Sequence, residues 1–199
     1  MRTVALLFLG LAMMGQPGPA AAQHREVGAH EHGRGTLNIA VEAARVTMEL
    51  EVPGADIVGF EHAAKTRKQK AAVDQAKSKL SAPQTLFKLP ASAGCVLKEA
   101  SAAVEGGDHH DDHAAHGASK NKQGAAKGSA EPEGKGHSEF RATYAFECTA
   151  PANITAIEFE YFRAFPGAQK LDVNLVTAKG QTKFEVTRAR PRIDFAGMM

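Results

Sequence analysis

The chain lacks a hydrophobic run long enough to cross a membrane. Its longest apolar run, residues 4–14, has eleven residues, whereas a bilayer-spanning helix needs about 20. Arg2 precedes this run and Ala20, Ala21 and Ala22 follow it, which is the arrangement of a secretory signal peptide. We therefore predict a signal peptide over residues 1–22 and an exported, soluble mature chain of one domain over residues 23–199.

An excess of charge of either sign is also missing. The chain has 24 lysines and arginines against 22 aspartates and glutamates, with a net charge of +2. Such a balance creates no strong field that would attract nucleic acid or an anionic membrane. A local basic run is interpreted as the solvated face of a helix; it consists of Lys65, Arg67, Lys68 and Lys70. We expect neither nucleic acid nor a membrane as a partner.

Cysteine is scarce, with Cys95 and Cys148 the two in the chain. In an exported protein two cysteines favour one disulfide bond, because the compartment is oxidising. A pair of zinc-bound thiolates is the alternative interpretation. A Cys95–Cys148 bond would close a loop that contains a histidine-rich segment.

Motifs of hydrolytic enzymes are absent. Neither H-E-x-x-H nor H-x-x-E-H occurs, and no G-x-S-x-G segment offers a serine nucleophile. We therefore expect a protein that is not an enzyme, with a zinc-dependent hydrolase as the less favoured alternative. A two-lobed solute-binding protein would need far more chain than residues 23–199.

The segments that are present are mostly short and alternating. Residues 36–42 and 46–52 place apolar side chains at every second position, which predicts two half-buried strands joined as a hairpin. The turn between them lacks the expected glycine or asparagine. Further strands are predicted around three alternating groups: Ile157, Phe159 and Tyr161; Leu171, Val173 and Leu175; and Phe184 and Val186.

One segment changes to helical spacing. Val73, Ala76 and Leu80 lie on one face of a helix within residues 65–83, and Thr66 and Gln69 match a capping box. Six or seven strands with one main helix predict a mainly β (α+β) domain. We expect a single β-sandwich or a rolled antiparallel sheet.

Two segments of equal length flank a long insertion. If residues 95–104 and 139–148 pair antiparallel with Cys95 beside Cys148, Val104 lies beside Glu139. The chain between them then forms an excursion. Residues 106–137 contain no large apolar side chain, so burial cannot offset the entropy of ordering them, and we predict a disordered insertion.

The insertion has the composition of a metal-binding segment. Neutral imidazoles and carboxylates are good ligands for zinc, nickel and copper(II). Histidines spaced by three and four residues can form bidentate clamps on one helical turn. The candidate ligands here are His109, His110, His113, His116 and His137, with Asp108, Asp111 and Asp112 adding negative charge.

A second group of histidines lies near the start of the mature chain. His24, His30 and His32 precede the first predicted strand, and His30 and His32 project to the same side of an extended chain. Glu61 and His62 lie just before the helix. In isolation, a histidine such as His62 is more often a local cap or a hydrogen-bonded core residue than a ligand.

Several of these segments together resemble the ZrgA-type family of bacterial periplasmic zinc-binding proteins. The matching blocks are HEHGRGTLNIAVE, VPGADIVGFEHAAKT, PASAGCVLKEA before a histidine-rich insertion, EFRATYAFEC, and ARPRIDF. The resemblance implies a periplasmic protein that binds Zn2+ and buffers it or hands it on during zinc acquisition. Its partner would be a zinc uptake transporter or the solute-binding protein of that transporter.

The insertion departs from the family pattern. The family typically has a longer alternation of histidine with aspartate or glutamate, whereas here four clustered histidines precede a segment rich in lysine and glycine. We expect the insertion to bind correspondingly less metal. We also predict a second metal site that binds more tightly than the insertion. At this site we expect His30, His32 and His62 to converge, with Glu61 as a fourth ligand or a partner of the ligands.

Copper(II) or nickel(II) handling is the main alternative function. Cleavage one residue earlier would leave Ala22, Gln23 and His24 as an amino-terminal chelate for these two ions. Pro19 then stands at the minus-three position and disfavours that cut.

Overall fold

The computed structural model describes residues 31–106 and 137–199. The predicted signal peptide and residues 107–136 of the insertion lie outside this range. The strands of the described residues are β1 (Arg34–Glu42), β2 (Arg45–Pro53), β3 (Phe87–Lys88), β4 (Cys95–Glu105), β5 (Glu139–Cys148), β6 (Ala156–Phe159), β7 (Lys170–Thr177), β8 (Gly180–Thr187) and β9 (Arg192–Asp194). The α-helices are α1 (Gly54–Val58), α2 (Arg67–Leu80), α3 (Pro83–Leu86) and α4 (Tyr161–Ala164).

The strands form two sheets. One has six strands in the order β4-β5-β2-β1-β7-β8, and the other has three in the order β3-β6-β9. The prediction of a mainly β domain with one main helix is confirmed. Every pair is antiparallel except β1 and β7. That parallel pair was not anticipated, and it arises because β7 returns to β1 by a long connection and not by a hairpin.

One face of the six-stranded sheet is buried, as the alternation predicts. Leu37 and Ile39 of β1, Met48 of β2 and Leu171 of β7 are at most 2% exposed. Aromatic side chains join this face to the smaller sheet, since Phe87 of β3 lies 6.0 Å from Tyr144 of β5 between ring centroids. The core therefore lies between the two sheets.

The long helix matches its prediction. Thr66 is the N-cap, its hydroxyl accepts a hydrogen bond from the Gln69 backbone N–H, and both halves of the capping box are present. Ala76 and Leu80 are the buried residues of α2. Within residues 31–106 and 137–199 no helix combines the length and the apolar character that crossing a membrane requires.

Tyr161 differs from its predicted structure. It was assigned to a strand with Ile157 and Phe159, but it is the first residue of α4. Its side chain is nevertheless fully buried. The burial of alternate side chains, at Ile157, Phe159 and Tyr161, therefore extends two residues beyond the end of β6.

Strands β4 and β5 pair antiparallel around the insertion, and a Cys95–Cys148 disulfide bond joins them. The predicted disulfide is confirmed, and the zinc-thiolate alternative is excluded because no free cysteine remains. The predicted register is wrong by one residue at the other end, where Val104 pairs with Phe140. A β-bulge between Leu97 and Glu99 inserts the extra residue, as bulges do in edge strands.

The β1–β2 hairpin has an unusual turn. Glu42 pairs with Arg45, so Ala43 and Ala44 form the two-residue connection. Ala43 has a φ of 51°, in the left-handed region that an alanine side chain disfavours by roughly 1–2 kcal/mol. The sequence lacked a turn signal, yet the hairpin forms with a local conformational cost.

Replacing Ala43 with glycine should therefore raise the free energy of unfolding by about 0.5–1 kcal/mol, because relief of the left-handed strain exceeds the added entropy of the unfolded chain. Urea denaturation of the oxidised protein measures the change. Ala44→Gly is the matched control, since Ala44 is not in the left-handed region and its replacement should lower stability. A loss of stability in both variants would contradict the expectation.

Candidate metal centre

Two histidines meet one carboxylate where the two histidine-rich segments join the described domain. Nε2 of His32 lies 3.1 Å from Oε1 of Glu61, and Nδ1 of His137 lies 2.5 Å from Oε2 of the same carboxylate. The Glu61 side chain is only 13% exposed, whereas those of His32 and His137 are 68% and 57% exposed. The imidazoles thus face solvent above a nearly buried carboxylate.

Backbone hydrogen bonds at Ser138 place His137 beside Glu61. The Gly54 N–H donates to the Ser138 carbonyl at 2.7 Å, and the Ser138 N–H donates to the Glu61 carbonyl at 2.8 Å. A Cβ atom on Gly54 would lie 2.3 Å from Ser138 Oγ and 2.7 Å from the Phe60 carbonyl oxygen. Only glycine permits this close approach of the two segments.

His32 is held from the other side through Gly33. Gly33 has a φ of 85°, and its N–H donates to Oδ1 of Asp56 at 2.7 Å. Its carbonyl accepts hydrogen bonds from the Gln169 and Lys170 N–H groups at 2.9 and 2.8 Å. These bonds fix the backbone next to His32, so its ring can reach Glu61.

The surroundings of Glu61 favour its ionised form. Burial opposes ionisation, but the contacts with His137 and His32 outweigh it, and the pKa of Glu61 lies below its ordinary value. Oε1 of Glu61 is inaccessible and has no hydrogen bond of good geometry with residues 31–106 or 137–199, although Nε2 of His32 lies within ion-pair distance. The ionised carboxylate of Glu61 is therefore able to bind a metal cation.

Asp56 is a second carboxylate close to this group, and sequence analysis missed it. Its side chain is buried, and Oδ2 has no hydrogen-bond partner within the described part of the chain. Burial raises the pKa of Asp56, against the lowering effects of the Gly33 N–H and His32, while the charge of Glu61 adds to the rise. A charged residue within the apolar stretch VPGADIVGF is the signal that could have revealed it.

The predicted ligands fall into three groups. His32 lies beside Glu61, and His137, which was assigned to the insertion, lies beside the same carboxylate. His62 is exposed, with Nδ1 2.9 Å from the Ala63 carbonyl oxygen and its ring stacked on Phe60. The remaining predicted ligands lie outside the described residues; they are His24, His30, His109, His110, His113 and His116.

The donor chemistry of the described group fits zinc, although its donors point at one another. Within the part of the chain that the structure describes, no three or more histidine, cysteine, aspartate or glutamate side chains are arranged to hold a metal ion. Two donors of one tetrahedral zinc lie about 3.3 Å apart, close to the 3.1 Å between His32 and Glu61. The 2.5 Å between Nδ1 of His137 and Oε2 of Glu61 is shorter than this separation, so these two groups must move apart to bind one ion.

Comparison with known proteins identifies one matching family. The family described as ZrgA family zinc uptake protein matches residues 29–195. The matched range includes His32, Glu61 and His137 and both cysteines. No curated protein matches the chain.

The lowered pKa of Glu61 gives a pH dependence in the metal-free protein. A carboxylate with a depressed folded-state pKa stabilises the fold above its unfolded pKa, here 4.5, and this stabilisation disappears as the pH falls through the folded value. The difference in unfolding free energy between wild type and Glu61→Gln should therefore be full at about pH 6 and shrink below pH 4.5.

Chemical denaturation in the presence of a chelator measures this difference. Glu49→Gln is the control, since it removes an exposed carboxylate of β2. A Glu61→Gln difference that stays constant down to about pH 3 would show that the histidine contacts do not stabilise the ionised carboxylate.

Proposed function

The chain belongs to the ZrgA family of zinc uptake proteins, and we propose that it is an exported, periplasmic protein that captures Zn2+, buffers it and hands it on. The metal is its cargo, and the protein is a binding protein without enzymatic activity. Its recipient would be a zinc uptake transporter or the solute-binding protein that serves it.

The observation that carries the proposal is the convergence of both histidine-rich segments on Glu61. His32 ends the segment that includes His24 and His30, and His137 ends the insertion with its four clustered histidines. Both ends contact the same carboxylate. A metal ion held by either segment is therefore tethered to the folded domain at a high effective concentration.

We assign the tighter site to His32, Glu61 and His137. Imidazole nitrogens and a carboxylate are ordinary zinc ligands, and a tetrahedral ion needs a fourth donor, for which His30 is the proposed candidate. Because Zn2+ binds neutral imidazoles, its binding at these ring nitrogens displaces any proton that they carry. The exposure of both rings lets metal enter and leave without unfolding the domain.

The donor set favours borderline divalent ions over copper(I). Soft sulfur ligands suit copper(I), but both cysteines are in the disulfide bond. Copper(II) and nickel(II) share the preference for imidazole, so handling of these ions is the alternative function. Competition between the three ions for the same site distinguishes them.

Shortening the insertion tests the division into a tight site and weaker ones. A Cβ atom on Gly106 would lie 2.2 Å from the His137 carbonyl oxygen, so a few glycine and serine residues can replace residues 107–136. Zinc calorimetry of the oxidised protein should show that one tight site survives and weaker sites disappear. Loss of all binding, or unfolding of the domain, would contradict the proposal.

Replacing the ligands one at a time tests the assignment. His32→Ala and His137→Ala should each weaken the surviving site by at least about tenfold, which is what even partners of zinc ligands contribute. Titration of the shortened protein against a competing chelator measures the affinity.

His62→Ala is the matched control, because it also removes an exposed histidine near Glu61 in the chain. If His62→Ala weakens binding and His137→Ala does not, the convergence of His30, His32 and His62 expected from the sequence is the better assignment.

A further inference from the structure

We propose that Asp56 is a positioning residue of the zinc site that supplies, without binding the metal, the second negative charge needed to balance a divalent ion. The inference rests on the proposed site at His32, Glu61 and His137. Asp56 lies on α1 and is buried, whereas the two histidine ligands are exposed.

The geometry places Asp56 in contact with the backbone that carries His32. Oδ1 accepts the Gly33 N–H at 2.7 Å, and Gly33 directly follows His32. The other side of Asp56 is fixed too, because a Cβ atom on Gly167 would lie 2.5 Å from the Asp56 carbonyl oxygen. The backbone of Asp56 is therefore held against Gly167, and its carboxylate is held against the Gly33 N–H.

The carboxylate is costly for the fold in the absence of metal. The residue is 5% exposed, and Oδ2 has no hydrogen-bond partner among the described residues. A buried charge with one hydrogen bond destabilises a protein. In accord with this cost, burial raises the pKa of Asp56. The charge also acts deeper in the core: burial raises the pKa of Tyr161, and the charge of Asp56 raises it further.

The buried negative charge of Asp56 can balance part of the charge of a bound zinc ion. Zinc-binding imidazoles are neutral, so His32, His137 and Glu61 together carry a single negative charge. A Zn2+ ion on these three ligands would leave one net positive charge at the site, which a nearby negative charge stabilises. Asp56 brings the charge of the ligands and their surroundings to the value that neutralises a divalent cation.

Asp56→Asn separates this role from a structural one. Asparagine keeps an acceptor for the Gly33 N–H and nearly the same volume, but it removes the charge. We expect zinc affinity at the tightest site to fall at least about tenfold. The melting temperature of the metal-free protein should be at or above that of wild type. Asp56→Ala removes the acceptor as well and should lower both quantities.

The experiment uses the full mature protein, Zn2+ with a competing chelator, and thermal unfolding in excess chelator. Asp74→Asn is the control for net charge, since Asp74 is exposed on α2. Zinc affinity of Asp56→Asn within twofold of wild type would overturn the proposal. A metal-free Asp56→Asn protein that is less stable than wild type, or does not fold, would also overturn it.

Co2+ in place of Zn2+ reports the ligands by visible absorption. Because Asp56 is not a ligand in this proposal, the band positions should be the same in wild type and Asp56→Asn while the affinity differs. A changed spectrum would make Asp56 a ligand and overturn the assignment. Failure of the proposed function gives a different result. The wild-type protein then has no tight zinc site, or the His32→Ala and His137→Ala variants bind zinc as tightly as wild type.

Discussion

The candidate site depends on two hydrogen bonds made by the backbone of one residue, Ser138. They connect it to Gly54 at the start of α1 and to Glu61 three residues after its end. Because peptide groups make both bonds, they do not depend on the composition of the insertion that precedes Ser138. The side chain that they do constrain is that of position 54, where a Cβ atom has no room. His137 lies beside Glu61 as a direct result.

Two carboxylates of the site have opposite pKa shifts because they have different partners. Glu61 has two imidazoles, and its pKa is lowered, whereas Asp56 has one backbone N–H, and burial raises its pKa. The fold therefore tolerates one buried charge that is compensated and one that is not. The apolar contacts between the two sheets must provide the stability that this second charge removes.

The local features of the fold could be predicted from the sequence, and the long-range ones could not. Alternation identifies β1 and β2, and the capping box identifies the start of α2, because each signal lies within a few residues. Strands as short as β3 and β9, with two and three residues, have no detectable period. The parallel pairing of β1 with β7 and the bulge in β4 depend on partners far away in the chain.

The same distinction holds for the site. His32 and Glu61 were grouped because both lie near conspicuous histidines in the sequence. His137 was assigned to the insertion, and the Ser138 hydrogen bonds, with the pairing of β5 to β2, bring it across 76 residues to Glu61. Asp56 escaped notice because its role depends on burial, which a single aspartate in a short helix does not reveal. Contacts between distant segments, and not residue types, decided which histidines meet.

The pairing of β4 with β5 allows the insertion between them to vary in length and composition. Cys95 and Cys148 join the strands at one end, and Glu105 and Glu139 pair at the other, so the chain leaves and returns at neighbouring positions whatever lies between. Doubling the length of a flexible loop costs only about 0.6 kcal/mol. Evolution can therefore lengthen, shorten or recompose this segment, and so change how many metal ions each molecule carries, while the domain beneath it stays the same.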